Sequence, residues 1–130
     1  KENVFRGFHF QSKNKQAKFV NVIKGKILDI VIDLRKGSKT FGKAHSIILS
    51  KQNALSLFIP AGFAHAYYSY YNENIIYYKL DNYYNPKFED GIIYSDPEIN
   101  LRLPKLSIKI SKKDKNLLTL SQFKKKYKYL

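Results

Sequence analysis

The chain contains no cysteine, no methionine and no tryptophan. Without thiols there is no disulfide framework, no thiolate zinc site and no cysteine nucleophile. No apolar run approaches the roughly 20 residues that a membrane-spanning helix needs, so no membrane partner is expected. No secretory signal or transit peptide is visible, which makes the cytoplasm the expected location. Acidic residues are scarce, 10 against 24 Lys and Arg, and only three of the basic residues are Arg. What is present is a globular composition. The 130 residues amount to about one domain, and 44% hydrophobic residues with 11 Tyr and 9 Phe suffice for a real core. A wholly disordered chain is thereby excluded. The sequence opens on Lys1 rather than Met and reaches its first motif almost at once, so it reads as a fragment of a longer protein.

A formal charge of +14 raises the question of nucleic acid. The distribution argues against it. Residues 105–130 alone carry +8 of that excess. Lys, Ile, Tyr and Asn make up 56 of the 130 residues, and all four favour A/T-rich codons, which accounts for much of the lysine. Arginine, the better fork for phosphates and bases, is nearly missing. A positive field that draws in a doubly charged diphosphate ligand explains the charge at least as well.

Alternating apolar residues fill the first hundred positions. Lys18–Ile23 and Ile27–Leu34 read as strands around a Lys24-Gly25-Lys26 turn, with Ile27, Asp29, Val31 and Asp33 on one face. Strands are also expected at His45–Leu49 and Ala54–Ile59, the latter stopped by Pro60-Ala61-Gly62. Tyr67–Tyr71 and Asn74–Leu80 read as a hairpin around Asn72-Glu73, and Asn82–Pro97 as irregular chain. Ser111-Lys112-Lys113-Asp114 has the form of a cap for a short helix, and Gln122–Tyr129 is a charged C-terminal segment. Strands at intervals of about ten residues predict a mainly β fold, a sandwich or jelly-roll barrel. No internal repeat, linker or second domain is visible, so residues 1–130 are expected to form one domain.

The three histidines, His9, His45 and His65, invite a metal reading first. Pro60-Ala61-Gly62-Phe63-Ala64-His65 has the P-x-G-x-x-H spacing of the second cupin motif. The first cupin motif offers H-x-H and a carboxylate. Here His9-Phe10-Gln11 stands in its place, with Lys18 near the expected acid. An ammonium beside a cation repels it, so the scaffold reads as cupin-like and no metal or other cofactor is expected.

Taken in order, the motifs resemble the dTDP-4-dehydrorhamnose 3,5-epimerase family. Arg6-Gly7-Phe8-His9-Phe10-Gln11 is similar to its R-G-x-H-[FY]-Q strand, with Gln16-Ala17-Lys18 at the family spacing. Gly25–Ser38 resembles its G-x-I-x-D-V-x-V-D-x-R-x-x-S hairpin, and Ile59–His65 its I-P-x-G-F-A-H segment. Tyr78-Lys79, Tyr83-Tyr84-Asn85-Pro86, Ser95-Asp96-Pro97 and Ile110–Asp114 match further elements. The resemblance covers residues 4–116. Within it, Ala66 replaces a Gly and Leu103-Pro104 replaces Trp-Pro, and residues 1–130 are expected to lack the family's N-terminal segment.

This resemblance implies a cupin-like jelly-roll barrel with a short helical C-terminal segment, and metal-free epimerisation of a nucleotide-linked 4-keto-6-deoxy sugar. Protons on C3 and C5 lie alpha to the C4 ketone, so the reaction needs a base, a cation near the ketone oxygen and an acid on the opposite face. By resemblance His9 is the base and Asp114 orients and charge-stabilises it. Lys18 steadies the enolate oxygen; alternation turns it inward while Phe19 points the other way. Tyr78 reprotonates carbon, His65 hydrogen-bonds the sugar or its ketone, Arg6 pairs with the diphosphate, and Gln11 and Tyr84 bind substrate. His45 has no assigned role. The resemblance also implies a homodimer. The sequence leaves three alternatives open. One is a related nucleotide 4-keto sugar or inversion at only one carbon. Another is a non-catalytic sugar-nucleotide binder, and the last a basic nucleic-acid-binding barrel, which steep salt dependence would betray.

Overall fold

The computed structural model describes residues 1–104 and 107–130. Lys105 and Leu106, which begin the basic C-terminal stretch, lie outside the described residues. The described strands are β1 (Val4–Gln11), β2 (Lys18–Lys24), β3 (Lys26–Asp33), β4 (Ala44–Ser50), β5 (Ser56–Ile59), β6 (Phe63–Ser69), β7 (Ile75–Leu80), β8 (Glu89–Gly91) and β9 (Lys109–Ile110), followed by helix α1 (Leu120–Tyr127). They form two sheets. One has the order β4-β3-β6-β1-β8, with β9 pairing in parallel with the start of β1; the other has the order β5-β2-β7. The mainly β, cupin-like architecture expected from the sequence is present.

Each face of the larger sheet has its own apolar partner, as strand alternation requires. The face toward the smaller sheet carries Ile27, Val31 and Leu49, which meet Val20, Val22 and Ile59. The opposite face carries Phe5, Phe8, Phe10, Ile30, Ile32, Ala64 and Tyr68. The C-terminal part of the chain covers it with Ile92, Ile99, Leu120 and Phe123. Phe5, Phe8 and Phe123 are fully buried, and each such ring stabilises the fold by about 2–3 kcal/mol relative to exposure.

Helix α1 follows from its own signals. The Thr119 hydroxyl accepts from Gln122 N–H at 3.1 Å, and the Gln122 side chain accepts from Thr119 N–H at 2.8 Å, a reciprocal capping box. Leu120 and Phe123, three residues apart, face the core. Tyr127, one turn further, sets its ring edge-on to Phe10 with centroids 5.6 Å apart. The lysines of this helix occupy its solvated side, where Lys124 pairs with Glu98 at 2.6 Å and Lys126 with Asp90 at 2.9 Å. The segment Ser111–Asp114 enters a single 3-10 turn at Asp114–Asn116, with the Ser111 hydroxyl accepting from Asp114 N–H at 3.0 Å.

Three sequence expectations change, the first of them the most. The hairpin expected from Tyr67–Tyr71 and Asn74–Leu80 does not exist, because β6 joins the larger sheet between β3 and β1 while β7 joins the smaller one beside β2. The 70–74 link is a crossing between layers. It runs beside the similar crossing at Gly25, bound by Tyr70 N–H to the Lys26 carbonyl (3.1 Å) and Lys26 N–H to Asn74 Oδ1 (2.8 Å). A Cβ on Gly25 would fall 2.2 Å from Asn74 Oδ1, at φ +91°, so this stacked double crossing requires glycine. Strand β5 starts two residues later than expected, after Ala54 in a left-handed conformation (φ 51°). The region expected to be irregular contains β8, which pairs with the end of β1.

The turn between β3 and β4 is closed by Asp33. Its carboxylate accepts from Arg35 Nε (3.0 Å), Arg35 NH2 (2.8 Å), Arg35 N–H (3.0 Å), Ser38 (2.5 Å) and Thr40 (2.6 Å). Burial alone would raise its pKa, but these donors outweigh it and hold the carboxyl far below the usual range. A depressed folded-state pKa stabilises above the unfolded value near ~4 and is lost as pH falls through that region and below. Asp33→Asn is therefore expected to cost about 2 kcal/mol at neutral pH. The gap should narrow in urea titrations repeated below pH 4; a gap independent of pH would contradict the charge argument.

Candidate active site

A cavity of about 410 Å³ opens between the two sheets, beyond the end of the inner core. Arg6, His9, Gln11, Lys18, His65, Tyr78 and Tyr84 all line it. Seven of the eight residues singled out from sequence thus meet in one place, and the eighth, Asp114, stands directly behind His9.

Strand β1 carries three of them, Arg6, His9 and Gln11, and an irregularity brings the first two together. In a regular strand Arg6 and His9, three apart, would face opposite sides. The β1–β6 register shifts between these positions, so that Arg6 faces Tyr67 and His9 faces His65 across the ladder, and both line the cavity. Gly7 sits in the shift at φ +124°, where a Cβ would lie 2.5 Å from that of Ala66. Its N–H points to Asp114 Oδ2 at 3.4 Å.

His9 Nε2 lies 2.8 Å from Asp114 Oδ1; the imidazole is partly open to the cavity and the carboxylate is buried. With Nε2–H donated to the carboxylate, Nδ1 is the nitrogen left to take a proton, and the resulting imidazolium gains a counter-charge. A second pair repeats the arrangement: His65 Nε2 contacts both oxygens of Asp29 at 2.9 Å, both residues being buried. Two carboxylate-backed imidazoles therefore stand side by side on the wall formed by the larger sheet.

The opposite wall belongs to the smaller sheet. Lys18 and Tyr78 come from β2 and β7, on the same inward face as Val20, while Phe19 is exposed on the other side. Burial pushes the Lys18 ammonium below the ordinary lysine value, with Asp29 and Glu89 pulling weakly the other way. Burial, then the neighbouring Tyr67 and Asp29, push the Tyr78 phenol well above the ordinary tyrosine value. Its ring stands edge-on to His65, centroids 6.1 Å apart. The cavity thus sets a carboxylate-backed imidazole on one wall against a phenol and an ammonium on the other.

At the rim, Tyr84 donates to Glu89 Oε2 at 3.1 Å, and Lys113 pairs with the same carboxylate. Gln11 contributes differently from a free binding group. Its amide donates to the carbonyls of Asn14 (2.7 Å) and Tyr83 (3.2 Å) and accepts from Asn85 N–H (2.6 Å), so it fastens the loop that carries Tyr84. His45 lies outside this cavity. Among the described residues no cluster of three or more His, Asp or Glu could hold a metal ion. Sequence reasoning missed Asp29, Tyr67 and Glu89. For Asp29 a signal existed, a carboxylate between Ile27 and Val31 on the inward face of β3; the other two carried none.

The fold and the cavity together define a cupin-like barrel whose cavity is lined by histidine, lysine and tyrosine side chains, both of its histidines backed by buried carboxylates. The chain belongs to the dTDP-4-dehydrorhamnose 3,5-epimerase family, whose model matches residues 1–122. It is 41% identical over 116 residues to the dTDP-4-dehydrorhamnose 3,5-epimerase of Methanothermobacter thermautotrophicus, covering 87% of this chain and 63% of that one. Against the enzyme of that name from Escherichia coli it is 37% identical over 123 residues, covering 93% and 66%. The crystal structure of the Legionella pneumophila dTDP-6-deoxy-D-glucose-3,5-epimerase in complex with dTDP-4-keto-L-rhamnose superimposes with a TM-score of 0.88 at 37% identity, over 92% of this chain and 64% of that chain. The chain thus spans just under two thirds of the length of these relatives. No described helix is long and apolar enough to cross a membrane.

Proposed function

We propose that this chain carries the catalytic site of an isomerase that inverts C3 and C5 of a dTDP-linked 4-keto-6-deoxy sugar, converting dTDP-4-dehydro-6-deoxy-glucose to dTDP-4-dehydro-L-rhamnose. The observation that carries the reading is the opposition of His9–Asp114 on the larger sheet to Tyr78 and Lys18 on the smaller sheet across one cavity. His9 takes a proton from the carbon alpha to the ketone. The negative charge passes to the ketone oxygen, where Lys18 and His65 stabilise it. Tyr78 returns a proton to the other face of the carbon, which inverts it. Family resemblance and a superimposable relative in complex with dTDP-4-keto-L-rhamnose support the substrate. The same resemblance extends the proposal to a cytoplasmic homodimer, with no nucleic acid partner.

The direct test follows deuterium from solvent into C3 and C5 by NMR on incubation with dTDP-4-dehydro-6-deoxy-glucose. Label at both carbons with inversion at both is expected; no label at either sinks the reading. Label at C3 alone would favour single-site epimerisation, the activity named for the Streptomyces bikiniensis 3'-monoepimerase, which superimposes at TM-score 0.89 and 26% identity.

The second imidazole pair gives a smaller, separate prediction. Asp29→Asn weakens the hold on the His65 ring and is expected to lower kcat/KM about tenfold, the worth of one hydrogen bond to a charged group. The ring ¹⁵N shifts of His65 should move away from the Nε2-protonated pattern. Unchanged shifts would show that Asp29 does not set the tautomer.

A further inference from the structure

Tyr67 lines the cavity beside the proposed catalytic groups and has no part in the scheme above. It follows His65 by two residues on β6, so alternation places both on the same face. Across the ladder it is paired with Arg6, and side chains of directly paired residues stand next to each other on one face. Arg6 and Tyr67 also border a neighbouring surface groove of about 700 Å³ that includes Lys1 and Lys24. The pair therefore stands where the cavity meets this groove, with Tyr67 a neighbour of Tyr78.

The hydroxyl of Tyr67 is uncommitted. Tyr68, Tyr84 and Tyr127 each donate to an oxygen of the protein, whereas Tyr67 makes no such bond among the described residues. Tyr67 is half-buried, and no buried side-chain polar atom among the described residues lacks a partner, so its hydroxyl is open to what enters the cavity. Burial keeps the group neutral by raising its pKa, against a weaker opposing pull from Arg6, so it has a proton to donate. An anion held by Arg6 is the acceptor the position supplies.

We propose that Tyr67 is a substrate-binding residue that donates a hydrogen bond to the diphosphate beside the Arg6 guanidinium, making the Arg6–Tyr67 cross-strand pair the diphosphate clamp of the site. This rests on the nucleotide-sugar reading above. A guanidinium supplies charge and a planar fork, and the phenol adds a directional donor on one side of it. The diphosphate keeps its charge while protons move at C3 and C5, so the clamp binds ground state and transition state alike.

The test is calorimetric titration of thymidine diphosphate into the wild type, Tyr67→Phe, Arg6→Gln and the double variant, with steady-state kinetics on the same proteins. Tyr67→Phe should weaken thymidine diphosphate about tenfold, as expected for one hydrogen bond to a charged group. It should raise KM by a similar factor with kcat within about twofold. The two substitutions should be non-additive in log Kd, because they act on one bound group. Thermal melting checks that the fold is intact, and loss of a single oxygen at a cavity surface should leave it so. Unchanged affinity in Tyr67→Phe, or a fall in kcat without a change in Kd, overturns the assignment while leaving the epimerase reading standing. A wild type that binds no thymidine diphosphate overturns both.

Discussion

His9→Ala is expected to reduce turnover by about 10³–10⁴-fold, near the top of the range for loss of a positioned general base, and to stop deuterium entry at C3 and C5 alike. Geometry sets the expectation. His9 is the imidazole whose Nε2 is committed to a buried carboxylate 2.8 Å away, leaving Nδ1 for the substrate. Removing the base removes the first step, so neither exchange nor inversion remains. Asp114→Asn should fall between the variant and the wild type, since the ring stays but its tautomer lock and counter-charge are lost. The His9 side chain is 29% exposed and lines the cavity rather than the core, so the variant should melt close to the wild type. Sustained exchange in His9→Ala would hand the base to another group, and His65, its cross-strand neighbour with its own carboxylate, would be the first replacement to test.

Much of this site was legible before any coordinates, but through ordered motifs rather than local geometry. The strand around His9 is plain in the sequence, yet simple alternation would separate Arg6 from His9. Only the register shift at Gly7 puts them on one wall, and that shift depends on a close approach to Ala66 on a strand almost 60 positions away. The hairpin misread at residues 67–80 has the same origin. Asn72-Glu73 is a credible turn between two apolar runs, and nothing local says that one run will be flanked by β3 and β1 while the other crosses to β2. Strand partners are chosen by burial of faces, and those faces are completed by distant chain. Tyr67 and Glu89 stayed hidden for that reason. One is a tyrosine among 11, and the other an acid after an irregular loop, until the fold brings them to Arg6 and Tyr84. The lysine-rich tail ends in a helix whose packing accounts for the placement of its charge. Leu120, Phe123 and Tyr127 make one apolar stripe against the larger sheet, and the intervening lysines are what a solvated reverse face requires.

The other large effect separates exchange from inversion. Tyr78→Phe should retain deuterium entry at C3 and C5 within about tenfold of wild type while net epimerisation drops by about 10²–10³-fold, the span for loss of a general acid. His9 stands on the larger sheet and Tyr78 on the smaller, so the proposed scheme seats the sugar between them. Without the phenol, the enolate still forms and is still held by Lys18, but the nearest proton source is the imidazolium that made it. Return from that side gives labelled starting sugar rather than inverted product. The pH dependence distinguishes the two groups on the smaller sheet. The Lys18 ammonium titrates below the ordinary lysine value and the Tyr78 phenol above the ordinary tyrosine value. As pH rises, Lys18 should therefore lose its proton first, and the alkaline fall in the wild-type rate belongs to it. The residual exchange of Tyr78→Phe should show that same alkaline fall, and Lys18→Arg should move it upward, because a guanidinium keeps its proton. If Tyr78→Phe instead loses exchange and inversion in equal proportion, the phenol assists proton removal, and the division of labour between the two walls has to be redrawn.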